Sequence, residues 1–81
     1  MDADHFTAVL EVMLARQPYR VFTIEQYGGR LLEIDHRGAL MFLQGLALFR
    51  APGGIAIMFD HGSVRSIVDA LAADVPNGLH Q

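Results

Sequence analysis

The chain has no cysteine, and all six of its basic residues are arginine. Without cysteine there is neither a disulfide framework nor a thiolate metal site to support the fold. Nucleophilic catalysis is poorly served as well. The only serines, Ser63 and Ser66, lie outside any Gly-x-Ser-x-Gly elbow. Gly28-Gly29 and Gly53-Gly54 lack the flanking strand, helix and lysine of a phosphate loop. So small a chain also leaves little room for a water-excluding pocket, which predicts a non-enzyme without a cofactor.

A basic excess is missing too. The formal net charge is −3, and Arg16, Arg20, Arg30, Arg37, Arg50 and Arg65 are spread along the chain rather than clustered as in a nucleic-acid binder. The N-terminal Met1-Asp2-Ala3-Asp4-His5 has no positive region leading into an apolar core, which predicts a cytoplasmic protein. The segment from Ala39 to Phe59 is long enough to cross a membrane. Arg50 and Pro52-Gly53-Gly54 interrupt its centre, so no membrane association is expected.

What is present is apolar content: 52% of 81 residues. A chain of this length buries only roughly 60% of its unfolded surface, so some apolar area is expected to meet a second copy. A single domain is predicted over residues 1–75, with a disordered tail at 76–81. Its organising stretch is Ala39–Phe59, three short apolar runs separated by Gln44-Gly45 and by Ala51-Pro52-Gly53-Gly54. Runs that short, bounded by turn residues, predict buried strands in a meander. Pro52-Gly53 suits the two central positions of a type II turn.

Before the meander, Phe6, Val9, Leu10, Met13 and Leu14 form one stripe of a helix over Asp4–Arg16. Asp2 and Asp4 favour its start, Arg16 complements the dipole at its end, and Pro18 stops it. Tyr19–Tyr27 alternates as a strand, Tyr27-Gly28-Gly29-Arg30 reads as a hairpin turn, and Leu31–Asp35 returns. After Asp60-His61-Gly62 two readings stand. Val64–Val68 is a last short strand, or else Val64, Ile67, Val68, Leu71 and Val75 line a helix over 63–75. The expected fold class is mainly β with an N-terminal α-helix, a small strongly bent antiparallel sheet or barrel of about five strands.

Asp35-His36 and Asp60-His61 each end an apolar strand beside a glycine. Two imidazoles and two carboxylates make a workable ligand set for a divalent metal. Adjacent residues of a strand point to opposite sides, however, so each element offers one ligand at most. Turn chemistry is the reading adopted, with no metal. Arg30, Arg37 and Arg65 lie beside turns and are expected to pair with Glu33, Asp35 or Asp60 on the surface. Should they converge with Asp35 and His36 on one rim, that rim would suit an anion or RNA phosphate. The expected self-association surface is Leu40, Phe42, Leu46, Leu48 and Ile57. Tyr19 and Tyr27 are expected to be exposed, and the five phenylalanines buried.

The order of helix, Pro18-Tyr19-Arg20-Val21-Phe22, Gly29-Arg30-Leu31-Leu32, His36, paired apolar strands and Phe59-Asp60-His61-Gly62-Ser63-Val64-Arg65-Ser66-Ile67 resembles a group of small bacterial proteins of unknown function. Members carry Pro-Phe-Arg, an Asp-Gly-Arg hairpin, a His-Pro loop and a closing Arg-Ile. The resemblance covers roughly residues 4–70. It implies the layout of Sm-like and SH3-like barrels, an N-terminal helix on a bent sheet. The Sm pattern Phe-Asp-x-His-Met-Asn is departed from at Ile34-Asp35-His36-Arg37-Gly38, and its Ile-Arg-Gly is only echoed by Val64-Arg65-Ser66. Two functions follow as expectations. The first is a small self-associating interaction module that also docks another protein. The alternative is an Sm-like RNA-binding ring.

Overall fold

The computed structural model describes residues 1–72; the expected tail, and residues 73–75 of the alternative helix, lie outside the described residues. The helix α1 spans Ala3–Ala15, with Asp2 as N-cap accepting from the His5 amide at 2.8 Å. Phe6 and Leu10 of the apolar stripe are fully buried, while Met13 and Leu14 pack against the core from its margin.

Six strands follow: β1 (Phe22–Gln26), β2 (Leu31–Ile34), β3 (Leu40–Leu43), β4 (Leu46–Arg50), β5 (Ala56–Asp60) and β6 (Val64–Val68). The last of these settles the open segment, which is a strand over Val64–Val68 and not a helix. The strands form two antiparallel three-stranded sheets, ordered β2-β1-β6 and β3-β4-β5, with no closed barrel among the described residues. This corrects the expectation of one bent sheet of about five strands.

The reason lies at two corners. Short 3-10 turns at Arg37–Ala39 and His61–Ser63 carry the chain from β2 to β3 and from β5 to β6, each time changing sheets. The halves β1-β2-β3 and β4-β5-β6 therefore share one connectivity: a hairpin, a corner, and a strand that crosses over. Each sheet is centred on the first strand of one half and flanked by the third strand of the other. The two Asp-His pairs fall at these corners. Asp60 accepts from the Ser63 amide at 3.2 Å, whereas His36 makes no such cap.

Both tight hairpins of the second sheet match their residues. Gln44 (φ 53°) and Gly45 (φ 87°) make a two-residue turn with both central residues left-handed, which fixes Leu43 opposite Leu46. Gly53 (φ 88°) occupies the left-handed position of the Ala51–Gly54 turn, closed by the Gly54 amide on the Ala51 carbonyl at 3.1 Å. The core joins Phe22, Ile24, Leu32 and Ile34 of the first sheet to Leu40, Ala47, Phe49 and Phe59 of the second. The α1 stripe fills it, with Phe6 edge-on to Phe59 at 6.2 Å. No helix among the described residues is long and apolar enough to cross a membrane.

Candidate functional site

Strand pairing decides which side chains of the second sheet face outward. Met41 stands opposite Leu48, and Leu48 opposite Met58, so one row crosses all three strands. Leu43, Leu46 and Asp60 form the next row, and Arg50 stands opposite Ala56. These side chains share the outer face, because the alternate residues Leu40, Ala47, Phe49 and Phe59 are buried. Leu43 is 73% exposed, Met58 65%, Met41 60% and Leu46 48%; Leu48 is half-buried among them. A contiguous apolar patch of this kind marks a contact surface more often than a free one.

The expected self-association set splits between the two faces. Leu46 and Leu48 face outward as expected. Leu40 is only 4% exposed and belongs to the core, while Phe42 and Ile57 are half-buried and pack against it. Met41, Leu43 and Met58 were not in the expected set. The signal for them is the Gln44-Gly45 turn: with Leu43 held opposite Leu46, an outward Leu46 and Leu48 require an outward Leu43 and Met41.

A second feature, unpaired among the described residues, is the edge of β5. The His61 amide donates to the Gly45 carbonyl and the Ala51 amide to the Ile55 carbonyl, both at 2.7 Å. In an antiparallel ladder bonded pairs alternate, so the odd-numbered residues of β5 bond to β4. The peptide groups of Ala56, Met58 and Asp60 then point away from the sheet, the Asp60 carbonyl accepting from the Ser63 hydroxyl at 2.8 Å. Beside this edge lies an open cleft of about 690 Å³ between Tyr27 and Arg30 of the β1–β2 hairpin and Phe59 and Asp60 of β5.

The expected anion rim is divided. Asp35, His36 and Arg37 follow Ile34, which pairs with Phe22 at the start of β1. Arg30 closes the hairpin at the far end of β1, where its carbonyl accepts from Gln26 at 2.9 Å. Arg65 stands at that far end too, beside the register shift at Glu25/Gln26. Arg37 is engaged: its Nε and Nη2 donate to the Leu14 and Arg16 carbonyls, each at 2.6 Å. The expected ion pairs of Arg30, Arg37 and Arg65 do not form among the described residues. Asp69 instead holds Arg16 at 2.6 Å and Arg20 at 2.9 Å.

The two Asp-His corners also sit apart, since the Ser63 carbonyl accepts from Tyr27 at the Gln26 end of β1. His61 Nδ1 lies 2.8 Å from the Met1 carbonyl oxygen, and His36 is loosely placed 3.9 Å from Asp35. No group of three or more potential ligands is gathered among the described residues. Tyr27 is exposed as expected, but Tyr19 is half-buried, with its hydroxyl donating to the Ile34 carbonyl at 2.6 Å. Phe42 likewise departs from the expected burial of all five phenylalanines. Compared with protein-family models, with curated proteins and with solved structures, the chain matches none.

Proposed function

We propose that the protein is a small self-associating interaction module whose contact surface is the outer side of the β3–β4–β5 sheet. The observation that carries this reading is the Met41–Leu48–Met58 row, flanked by Leu43 and Leu46, which leaves large apolar side chains in water across a whole sheet. A domain this small hides a limited share of its apolar surface internally, and a second copy is the cover the chain itself supplies. The same surface suits docking onto a larger protein.

Sedimentation over a micromolar range tests the reading. The chain is expected to associate, and Met58→Glu to remain folded and become monomeric. A wild-type chain that sediments as a monomer throughout overturns it.

The RNA-ring reading draws less support, because Arg30 and Arg37 flank opposite ends of β2 and Arg37 is committed to the end of α1. Titration with uridine-rich single strands at low salt is expected to give no binding.

A further inference from the structure

We propose that β5 pairs with β5 of a second copy, antiparallel about a two-fold axis at Met58. The two β3–β4–β5 sheets then join into one sheet of six strands, and the partner's Gly54–Ile55 end enters the cleft walled by Tyr27 and Arg30. This rests on the self-association reading above and adds a second contact to the outer-face one, at the edge of the same sheet, since edge pairing by itself leaves the Met41–Leu48–Met58 row uncovered.

Among the described residues, the edge of β5 carries few of the features that blunt an edge. A naked edge strand is a template for pairing unless charge, proline, a bulge or a covering element blunts it. The edge of β3 runs beside α1, whose Asp4 and Glu11 line a cleft with Phe42 and Leu43. On β2, Glu33 accepts from the Ala72 amide at 2.9 Å, which brings the chain beyond β6 against that strand. The strand β6 carries Arg65 and meets β1 through a register shift. Ala56-Ile57-Met58-Phe59 has no charge and no proline before the closing Asp60, and β5 pairs with β4 in unbroken register; β3 shares these features and differs in having α1 alongside.

The outward peptide groups limit the register and charge selects it. Those of Ala56, Met58 and Asp60 point outward, the Asp60 carbonyl also accepting from the Ser63 hydroxyl at 2.8 Å. A two-fold axis at Met58 therefore makes bonded pairs of Met58 with the partner's Met58 and of Ala56 with the partner's Asp60, whose carbonyl takes the second bond on its remaining lone pair. An axis at Asp60 would set two carboxylates face to face, and an axis at Ala56 would leave Asp60 beyond the paired stretch. Axes at Ile57 or Phe59 would pair outward peptide groups but keep the partner's Asp60 out of the Arg50 row. The axis at Met58 also places charge well. Arg50 stands opposite Ala56 on the outer face, so the next residue in that row is the partner's Asp60. Two strand spacings separate their Cα atoms by ~10 Å. Alanine between them leaves the path open for the long arginine side chain. Arg50 makes no ion pair among the described residues.

The cleft accounts for the chain beyond the paired stretch. Past the partner's Ala56 come Ile55, 63% exposed in the single chain, and Gly54. Running on past Asp60, they reach the cleft. There Ile55 exchanges water for Phe59 and Tyr27, and the glycine gives its backbone room beside Arg30.

The absence of cysteine makes the test clean. Met58→Cys is expected to form a disulfide-linked dimer under mild oxidation, because the two residues face each other across the axis. Ala56→Cys is expected not to link to itself, since its two copies lie four residues apart along the strands, ~13 Å, beyond disulfide reach. Met58→Pro removes only an outward-facing N–H and leaves the β4 ladder intact. It is expected to raise the dimer dissociation constant at least tenfold at unchanged far-UV dichroism. An associating chain whose Met58→Cys variant does not cross-link, and whose Met58→Pro variant still dimerises, overturns the edge pairing while the self-association reading stands. A monomeric wild type removes both.

Discussion

The guanidinium of Arg37 lies over the ring of Tyr19, 5.4 Å from its centroid, while it donates to the carbonyls of Leu14 and Arg16. Both carbonyls belong to the end of α1, whose last groups have no partner within the helix. One side chain from the β2–β3 corner thus closes the helix and ties it to the first sheet. Arg16, the cation nearest in sequence, is turned away to Asp69.

Arg37→Ala is therefore expected to destabilise the fold by about 1–3 kcal/mol, through two lost charge-assisted bonds and the cation–π contact. Arg65→Ala, with no such role among the described contacts, is expected to stay within about 0.5 kcal/mol. Urea denaturation of the two variants checks the contrast.

Stability is expected to fall at both extremes of pH. Hydrogen bonding from Arg16 holds the Asp69 carboxyl below its ordinary value of 3.8, with Arg20 adding to the effect. A depressed value in the folded state means stability that is complete above the unfolded value and is lost as pH falls through the folded one. Burial acts oppositely on Tyr19, raising its phenol above the ordinary 10.0. That contribution is complete below pH 10.0 and is lost as the phenolate forms above it, when the hydroxyl can no longer donate to Ile34. Thermal melts across pH are expected to show a flattened acid limb in Asp69→Asn and a flattened alkaline limb in Tyr19→Phe.

Gly45 serves two demands at once. Its φ is +87°, and a Cβ placed there would lie 2.8 Å from His61 Cδ2 and 3.2 Å from the Ala3 Cβ. Gly45→Ala is expected to cost about 1–3 kcal/mol, from backbone strain and from pushing the His61 corner off the start of α1. Gly54→Ala has the same sign of φ, at +84°, with nothing near its added methyl. It is expected to cost only the strain, about 1 kcal/mol. Melting temperatures of the pair separate the two contributions.

The register of the β3–β4 hairpin gives a parity test. Leu40→Ala is expected to cost about 2–5 kcal/mol, as a core truncation. Leu43→Ala is expected to stay within about 0.5 kcal/mol. Equal losses in chemical denaturation would mean that the strand faces the other way.

Local chemistry was legible in the sequence by itself. Asp2 and the Phe6–Leu14 stripe determine α1, because capping and helical period act within a few residues. Gln44-Gly45 and Pro52-Gly53 determine two hairpins, because left-handed backbone admits few residue types. The second sheet's three apolar runs follow from those turns. Tertiary structure decided what no local pattern encodes. Both faces of Leu40–Leu43 are apolar, so alternation could not say whether Leu40 or Met41 enters the core; α1 and the first sheet made that choice. Nor could spacing along the chain show that Arg37 reaches back to Leu14 or that Asp69 gathers Arg16 and Arg20. Long side chains take partners by where the corners bring them, and the corners arise only when two sheets close on a common core.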